Sequence, residues 1–492
     1  MTVLSADVAV IGCGPTGATL AGLLAKCGLR VAVLEREAAI HPLPRAVHFD
    51  DEVMRVFQAL GVAERLEEVC RVNPGMRFVD ASDGSLLLDW PRPQEIGPQG
   101  WHASYRFHQP DLEAILRGAL AEASGVTLST GAEVAGITEE PERVRLTLRD
   151  GRAVTACYAV GCDGARSMLR GAIGGGMEDL GFHERWLVTD LRLTRPRPDL
   201  GDHSVQFCDP DRPMTYVRCP GDRRRWEGRL APGESAEEAM RPGRVWQRLA
   251  RWITPAEAEI ERAAVYTFRS AVARRWRRGR LLIAGDAAHL TPPFMGQGMC
   301  AGIRDAANLA WKLALRVREE AGDALLDSYG AERIPHVRAY IETAVRLGHL
   351  INALDRDGAL QMAEDRAAGR ARMASIAPAL GESAAARFGA PASEASGRLA
   401  AQPLLSDGRR LDDVTGYAPV LLSRAPLSGP SRGPLRVDAG TDAGVAVLLD
   451  SLGAEAALIR PDRYVVSTAA TVDSATKLSE IVFPSPLRAA SP

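Results

Sequence analysis

The sequence predicts an α/β fold: a parallel sheet with crossover helices, an inserted antiparallel sheet, and a small α/β unit at the C-terminal end. Three observations predict it. A glycine-rich turn joins an apolar run to a helical pattern at the start of the chain. Residues 186–228 alternate apolar and polar positions between Pro/Gly turns. Residues 403–492 return to β-like runs after an alanine- and arginine-rich stretch at 355–400. With 492 residues, the chain has room for about three domains.

The first element is Asp7-Val8-Ala9-Val10-Ile11, a short branched apolar run. Gly12-Cys13-Gly14-Pro15-Thr16-Gly17 follows, then an apolar helical pattern through Leu20, Leu23, Leu24 and Cys27. Gly28 stops that helix, and Arg30 to Leu34 reads as a second strand. In a strand–helix–strand unit of this kind each glycine has a mechanical task. Gly12 makes the tight turn, Gly14 lets backbone approach a pyrophosphate, and Gly17 lets helix and strand pack closely. Pro15 and Thr16 open the helix, whose free N–H groups attract phosphate. Glu35, 18 residues beyond Gly17, is placed to accept hydrogen bonds from ribose hydroxyls. The unit points to an adenine dinucleotide, with NAD and FAD equally open.

The rest of the chain follows in order. A loop at His41 to Arg45 leads to a helix beginning near Asp50, with Val53, Phe57 and Leu60 on one face and Gly61 as its stop. Residues 75–90 suggest sheet in a separate region. Pro110 opens a helix over 111–124. Residues 126–148 read as strands, and Asp150-Gly151 as a hairpin signal. A strand at Tyr158 to Gly161 ends in Cys162-Asp163-Gly164 and opens another helix. Arg280 to Ala284 is a buried strand ending in Gly285-Asp286, ahead of a long helix over 301–318 and more helix at 323–350. The 355–400 stretch, poor in large apolar residues, reads as mobile helix and linker. Gly444 to Leu449 reads as β-like.

Composition excludes several classes. The formal charge of −2 gives no sign of a nucleic-acid partner or an anionic membrane surface. Only three of the 60 basic residues are lysines, which reads as genomic base composition. No run approaches the ~18 apolar residues of a membrane helix, and the N-terminus reads as a strand rather than a signal peptide. The eight cysteines include no C-x-x-C and no metal-like cluster with histidine. A reduced, cytoplasmic protein without metal is expected.

Gly12–Gly17, Cys162-Asp163-Gly164 and Gly285-Asp286 together resemble the three signatures of class A, single-component FAD-dependent aromatic hydroxylases, typified by p-hydroxybenzoate hydroxylase. Pro44-Arg45-Ala46, Asp50-Asp51-Glu52, Gln109-Pro110, Asp305 to Leu313 and Arg460-Pro461-Asp462-Arg463 look like the 3-(3-hydroxyphenyl)propionate hydroxylase branch. The resemblance implies a discontinuous Rossmann-type FAD-binding domain (1–74, 105–182 and 270–350) with an inserted substrate-binding sheet (75–104 and 183–269). It implies a helical linker at 351–400 and a shortened thioredoxin-like domain at 401–492, without a redox cysteine pair.

It also implies roles. Glu35, with Arg36 beside it, holds the adenosine ribose. Arg45 and Gln109 lie along the FAD. Asp163 and Gly164 serve FAD and nicotinamide, and Gly285-Asp286 holds the ribityl or pyrophosphate end. Gly296, Gly298 and Met299 bring backbone to the flavin pyrimidine edge. Cys300 stands where relatives often carry Asn, so a side-chain contact there is in question. Pro293 is expected to shape the flavin loop and touch substrate. Tyr216 is carried as a catalytic candidate, although aromatics such as those at 207, 216 and 226 are more often core than substrate contacts. His48 is a candidate base for the phenol proton, with a packing role as its rival.

The implied activity is NADH- or NADPH-dependent hydroxylation of a phenolic or aromatic, or polyketide-like, substrate by molecular oxygen through a flavin C4a-hydroperoxide. A homodimer is left open. The rivals are Baeyer–Villiger oxidation or epoxidation of a polyketide, and a non-catalytic FAD-binding sensor. A flavin-dependent halogenase is disfavoured, because no W-x-W-x-I-P segment occurs.

Overall fold

The computed structural model describes residues 3–368, 376–380, 389–426, 434–440, 442–481, 484 and 487. Its centre is the strand Val3–Ile11, flanked in parallel by Val31–Leu34 and Ala153–Gly161. Val126–Ser129 and Leu281–Ile283 extend this eight-stranded sheet outward, again in parallel. Every residue of Val31–Leu34 is buried. Strands covered on both faces read as unbroken apolar runs, as this one does. The helices Pro15–Lys26 and Gln297–Val317 pack against each other over the sheet.

A second eight-stranded sheet is built on two long antiparallel partners, Met177–Leu193 and Ala258–Ala273. Arg223–Arg229, Met214–Arg218 and Ser204–Cys208 follow in antiparallel order, the hairpin Gly75–Asp80/Leu86–Pro91 forms one edge, and His289–Leu290 beside Ala258–Ala273 forms the other. The join differs from an all-antiparallel sheet: Ser204–Cys208 runs parallel to Gly75–Asp80. A short hairpin turn forces antiparallel pairing, but these two strands are far apart in sequence and escape that constraint. The expected boundaries at 182/183 and 269/270 fall inside the two long strands. The two strands pair with each other within this one sheet from Met177/Ala273 to Leu193/Ala258, and residue alternation gives no mark of a boundary there.

The C-terminal unit is a four-stranded sheet of Leu435–Asp438, Val420–Ser423, Ala456–Ile459 and Val465–Ala469. The β-like reading of Gly444 to Leu449 is corrected. Ala443–Ser451 is a helix, with the Asp442 carboxylate accepting from the N–H groups of Gly444 and Val445. Val445, Leu448 and Leu449 face the core at helical spacing, and the cap outweighs the β preference of the valines. Within the expected linker, Asp323–Ala353 continues past residue 350 and Arg356–Ala367 is a second helix. Ala359 and Met362 of that helix pack with Phe78, Leu88 and Trp90 of the 75–91 hairpin. Residues 369–375 and 381–388 lie outside the described residues. Among the described residues, no helix is long and apolar enough to cross a membrane.

Candidate active site

Two helix N-termini open onto one cavity of about 960 Å³. The first belongs to Pro15–Lys26, capped by Gly14 in extended backbone with no side-chain hydrogen bond. The second belongs to Gln297–Val317, capped by Gly296 at φ 65°, again without a side-chain cap. The first-turn N–H groups of a helix have no partner within it, so both ends offer donors and positive potential to an anion. Close packing places the first end. A Cβ on Gly12 would sit 2.4 Å from the Cys162 carbonyl oxygen, and one on Gly17 would sit 2.1 Å from that of Gly12. Gly14, in contrast, faces open space. The second end abuts His48: a Cβ on Gly296 would lie 2.7 Å from His48 Nδ1.

These residues fit FAD. Gly14, Pro15, Thr16, Arg45, Gly164, Asp286, Gly298 and Met299 all line the cavity. Asp286 is exposed to it. Thr291 Oγ1, on the same wall, is buried without a hydrogen-bond partner among the described residues. Phosphate, ribityl and flavin groups would find backbone N–H donors, carboxylate acceptors and an unoccupied hydroxyl there.

Around His48 the hydrogen bonds define a tautomer. Asn73 Nδ2 donates to Ser104 Oγ at 2.9 Å, so the Ser104 hydroxyl has its own proton left for His48 Nε2, 2.8 Å away. His48 Nδ1–H then faces the Gly296 carbonyl at 3.5 Å. Burial, reinforced by Arg106 and Arg92, pushes His48 down to about 3. The ring is neutral at neutral pH, and both nitrogens face protein groups.

The opposite wall comes from the second sheet. Trp90, Trp186, Phe268 and Val217 give it apolar surface and Arg225 and Glu227 give it charge; Arg92, just beyond Leu86–Pro91, and Arg106, on the strand Ser104–Arg106 that pairs with His48–Asp50 in a separate three-stranded sheet, add further charge. Arg225 is balanced by Asp190 at 2.6 Å and lies 3.5 Å from Glu227. It also donates to the carbonyls of Pro44 and Arg45, which anchors the loop ahead of His48 to the sheet. Arg106 has a different situation. Its Nη2 donates to Ser204 Oγ at 2.6 Å, and among the described residues no carboxylate lies within ion-pair range of it. Burial pushes it down to about 10, with Arg92 contributing. A guanidinium stays charged in a protein, so this wall carries net positive potential.

The remaining candidate residues divide between the cavity lining, which includes Gln109 and Pro293, and its surroundings. Tyr216 does not line the cavity. Its neighbours Thr215 and Val217 do, and strand alternation sends Tyr216 into the core against Trp226, ring centroids 4.8 Å apart. Burial raises its hydroxyl to about 12, so it holds its proton. Gln109 spends its side chain on the loop: Oε1 accepts from the N–H groups of Arg45 and Ala46, both at 2.9 Å. Cys300 is buried, with Sγ toward the Gly296 and His48 carbonyls, so it gives the cavity no side chain. Glu35 accepts from Cys13 N at 2.7 Å and Glu37 N at 2.9 Å, bracing the glycine turn from outside the cavity lining. Arg36 is exposed and pairs with Glu37. Asp163 accepts from Met168 N at 2.8 Å, while its neighbours Cys162 and Gly164 line the cavity. Gly285 donates its N–H to Asp305 at 3.0 Å. Pro293 starts a 3₁₀ turn and lines the cavity together with His48.

Sequence reasoning missed Asn73, Arg92, Arg106, Arg225 and Glu227. A signal existed for two of them. Arg225 and Glu227 alternate with Arg224 and Trp226 on one strand, and a two-residue count anchored on a buried Trp226 puts them on the other face.

The FAD binding domain family matches residues 5–344. The chain belongs to that family and is an FAD-dependent hydroxylase. It is 43% identical over 378 residues to a probable NADH-specific resorcinol 4-hydroxylase of Rhodococcus jostii (strain RHA1), covering 76% of this chain and 70% of that one. It is 38% identical over 355 residues to a 3-(3-hydroxy-phenyl)propionate/3-hydroxycinnamic acid hydroxylase of Mycolicibacterium gilvum (strain PYR-GCK). That match covers 71% of this chain and 61% of the relative. The crystal structure of the flavin-dependent monooxygenase PieE superposes with a TM-score of 0.84, at 22% identity, over 97% of this chain and 98% of that one. The fold is thus that of p-hydroxybenzoate hydroxylase-like FAD-dependent hydroxylases, and the likeness to PieE extends over 97% of this chain.

Proposed function

We propose that the protein hydroxylates a phenolic ring, using molecular oxygen and NAD(P)H. The observation that carries this reading is the cavity bounded by two uncapped helix N-termini on one side and an apolar, arginine-bearing sheet on the other. Bound FAD, reduced by NAD(P)H, supplies the activation of oxygen and its transfer to the ring.

The chain's own work is placement and electrostatics. Gly14 and Thr16 offer backbone to the pyrophosphate, and Asp286 accepts hydrogen bonds from the ribityl end. Gly298 and Met299, at a helix N-terminus, favour negative charge on the nearest edge of the flavin. Trp90, Trp186, Phe268 and Pro293 exclude water from the substrate ring. Arg92 and Arg106 favour the phenolate, because a nearby cation lowers the pKa of a phenol from its ordinary ~10. The phenolate ring is the more electron-rich and takes up oxygen more readily. His48 at about 3 is too weak a base to hold that proton at neutral pH, so its role is to hold the loop geometry beside Gly296.

The test is a panel of phenols that includes resorcinol and 3-(3-hydroxyphenyl)propionate, scored by NAD(P)H oxidation and product analysis. A product with one added hydroxyl and an unchanged carbonyl count supports the reading. An added ester oxygen or an epoxide would replace it with Baeyer–Villiger or epoxidising chemistry. FAD binding without NAD(P)H consumption for any aromatic compound would make the chain a sensor.

A further inference from the structure

The turn Arg460-Pro461-Asp462-Arg463 has no part in the cavity, yet it is among the most firmly held pieces of the C-terminal unit. Arg463 sits at φ 69°, a left-handed conformation that costs a non-glycine residue energy. Buried ion pairs hold it there. Arg460 grips Asp462 through Nε at 2.8 Å and reaches Glu332 at 2.9 Å, while Arg463 pairs with Asp412 at 3.3 Å. The turn delivers the next residue, Tyr464, into the FAD-binding layer, where it is buried.

Two hydrogen-bonded chains start at the Tyr464 hydroxyl. In the first, it donates to Glu52 Oε1 at 2.8 Å, and Glu52 Oε2 accepts from Arg304 Nε. Arg304 then forks, to Gln297 Oε1 at 2.9 Å and to Asp50 Oδ2 at 2.6 Å. Gln297 is the first residue of the helix whose N-terminus faces the cavity. In the second chain, His336 Nε2 lies 3.4 Å from the Tyr464 oxygen, and His336 Nδ1 takes a hydrogen bond from Arg333 at 2.7 Å. Arg333 Nε donates to Asp305 at 2.8 Å, and Asp305 accepts from Gly285 N at 3.0 Å. The first chain ends beside Gly296–Met299, the second beside Asp286.

We propose that Tyr464 is a positioning residue for the reaction: the C-terminal unit uses its hydroxyl to set both backbone stretches that face the flavin. The inference rests on the flavin placement proposed above. Its physical basis is that every link is buried and most are charge-assisted, so one lost partner leaves a carboxylate unsatisfied rather than rehydrated. Glu52, deprived of its Tyr464 donor, would turn toward Arg304 and pull the guanidinium off Gln297.

The test uses the full-length protein with three variants. Tyr464→Phe removes the hydroxyl at the head of both chains. Tyr417→Phe is the control: it removes another buried hydroxyl of the same unit, one that donates to the Ala307 carbonyl and touches neither chain. Asp286→Ala tests the flavin placement itself. The readouts are FAD affinity of the reconstituted apoprotein, the visible flavin spectrum, peroxide released per NAD(P)H, and thermal midpoint. Tyr464→Phe is expected to weaken FAD binding roughly tenfold, the loss of one hydrogen bond to a charged group. It should also shift the flavin bands and raise peroxide release. Tyr417→Phe is expected to lower the midpoint without moving the flavin readouts. Equal flavin readouts in the two tyrosine variants overturn the proposal. Unchanged FAD affinity in Asp286→Ala overturns the flavin placement instead. Should Tyr464→Phe fail to fold, Glu52→Gln weakens the first chain with the turn intact, and an unaltered flavin spectrum there overturns the proposal equally.

Discussion

His48 Nε2 lies 2.8 Å from Ser104 Oγ, and that hydroxyl also takes a hydrogen bond from Asn73. The arrangement fixes His48 as a neutral ring with its second nitrogen toward Gly296. A histidine in the flavin-side loop suggested a base; its surroundings make it a brace.

His48→Asn is therefore expected to keep turnover within about tenfold, against the ~10²–10⁴-fold loss that removal of a general base brings. The pH–rate profile should show no limb belonging to His48. The stability consequence has a definite sign. The folded pKa of about 3 lies below the ordinary value of 6.5, so the unfolded chain binds the extra proton between them. This contribution is fully present above pH 6.5 and is lost as pH falls toward 3. Denaturant midpoints from pH 7 to 4 should fall less steeply in His48→Asn than in the parent. A histidine-like limb that vanishes in the variant would restore the base assignment.

Asp286 is expected to contribute a charge-assisted hydrogen bond to FAD. Asp286→Ala should raise the FAD dissociation constant by roughly 10–100-fold, as the loss of ~1.5–3 kcal/mol implies. Fluorescence quenching on reconstitution measures it directly.

Arg106 should be more useful to substrate than to folding. A buried cation without a carboxylate partner costs free energy, and an apolar replacement of similar size is often neutral or stabilising. Arg106→Met is expected to keep or raise the thermal midpoint. It should also move the pKa of bound phenol upward, read from phenolate absorbance against pH, and raise KM more than it lowers kcat. A large fall in midpoint with unchanged phenol ionisation would make Arg106 structural.

Asp412 ties the C-terminal unit to the helix Asp51–Leu60 through a two-pronged pair with Arg55, at 2.8 and 3.1 Å. Both side chains are buried. Removing one partner of such a pair typically costs ~3–5 kcal/mol. Asp412→Ala should lower the midpoint sharply and open the C-terminal unit to protease before the FAD-binding layer. Uniform proteolysis of the two parts would show that they unfold together.

Local physics made much of this protein legible in the sequence. Gly17 answers to its close approach to Gly12, settled within a few residues of chain, whereas the space denied at Gly12 is set by the distant Cys162 carbonyl. The runs Val8–Ile11, Val31–Leu34 and Leu281–Ile283 are apolar because a parallel sheet buries both faces. Gly285-Asp286 announces itself as a strand end, whereas the helix expected from residue 301 begins already at Gln297. Tertiary structure alone decided what depends on partners distant in the chain. Tyr216 left the site because strand alternation turned it toward Trp226. His48 lost its basicity to burial, reinforced by Arg106 and Arg92, 58 and 44 residues away. The turn at 460–463 gained its meaning from Glu332 and Asp412, and Tyr464 from Glu52, 412 residues earlier. Charge, burial and hydrogen-bond partners belong to neighbourhoods in space, and one-dimensional patterning carries them only where the neighbours are also neighbours in sequence.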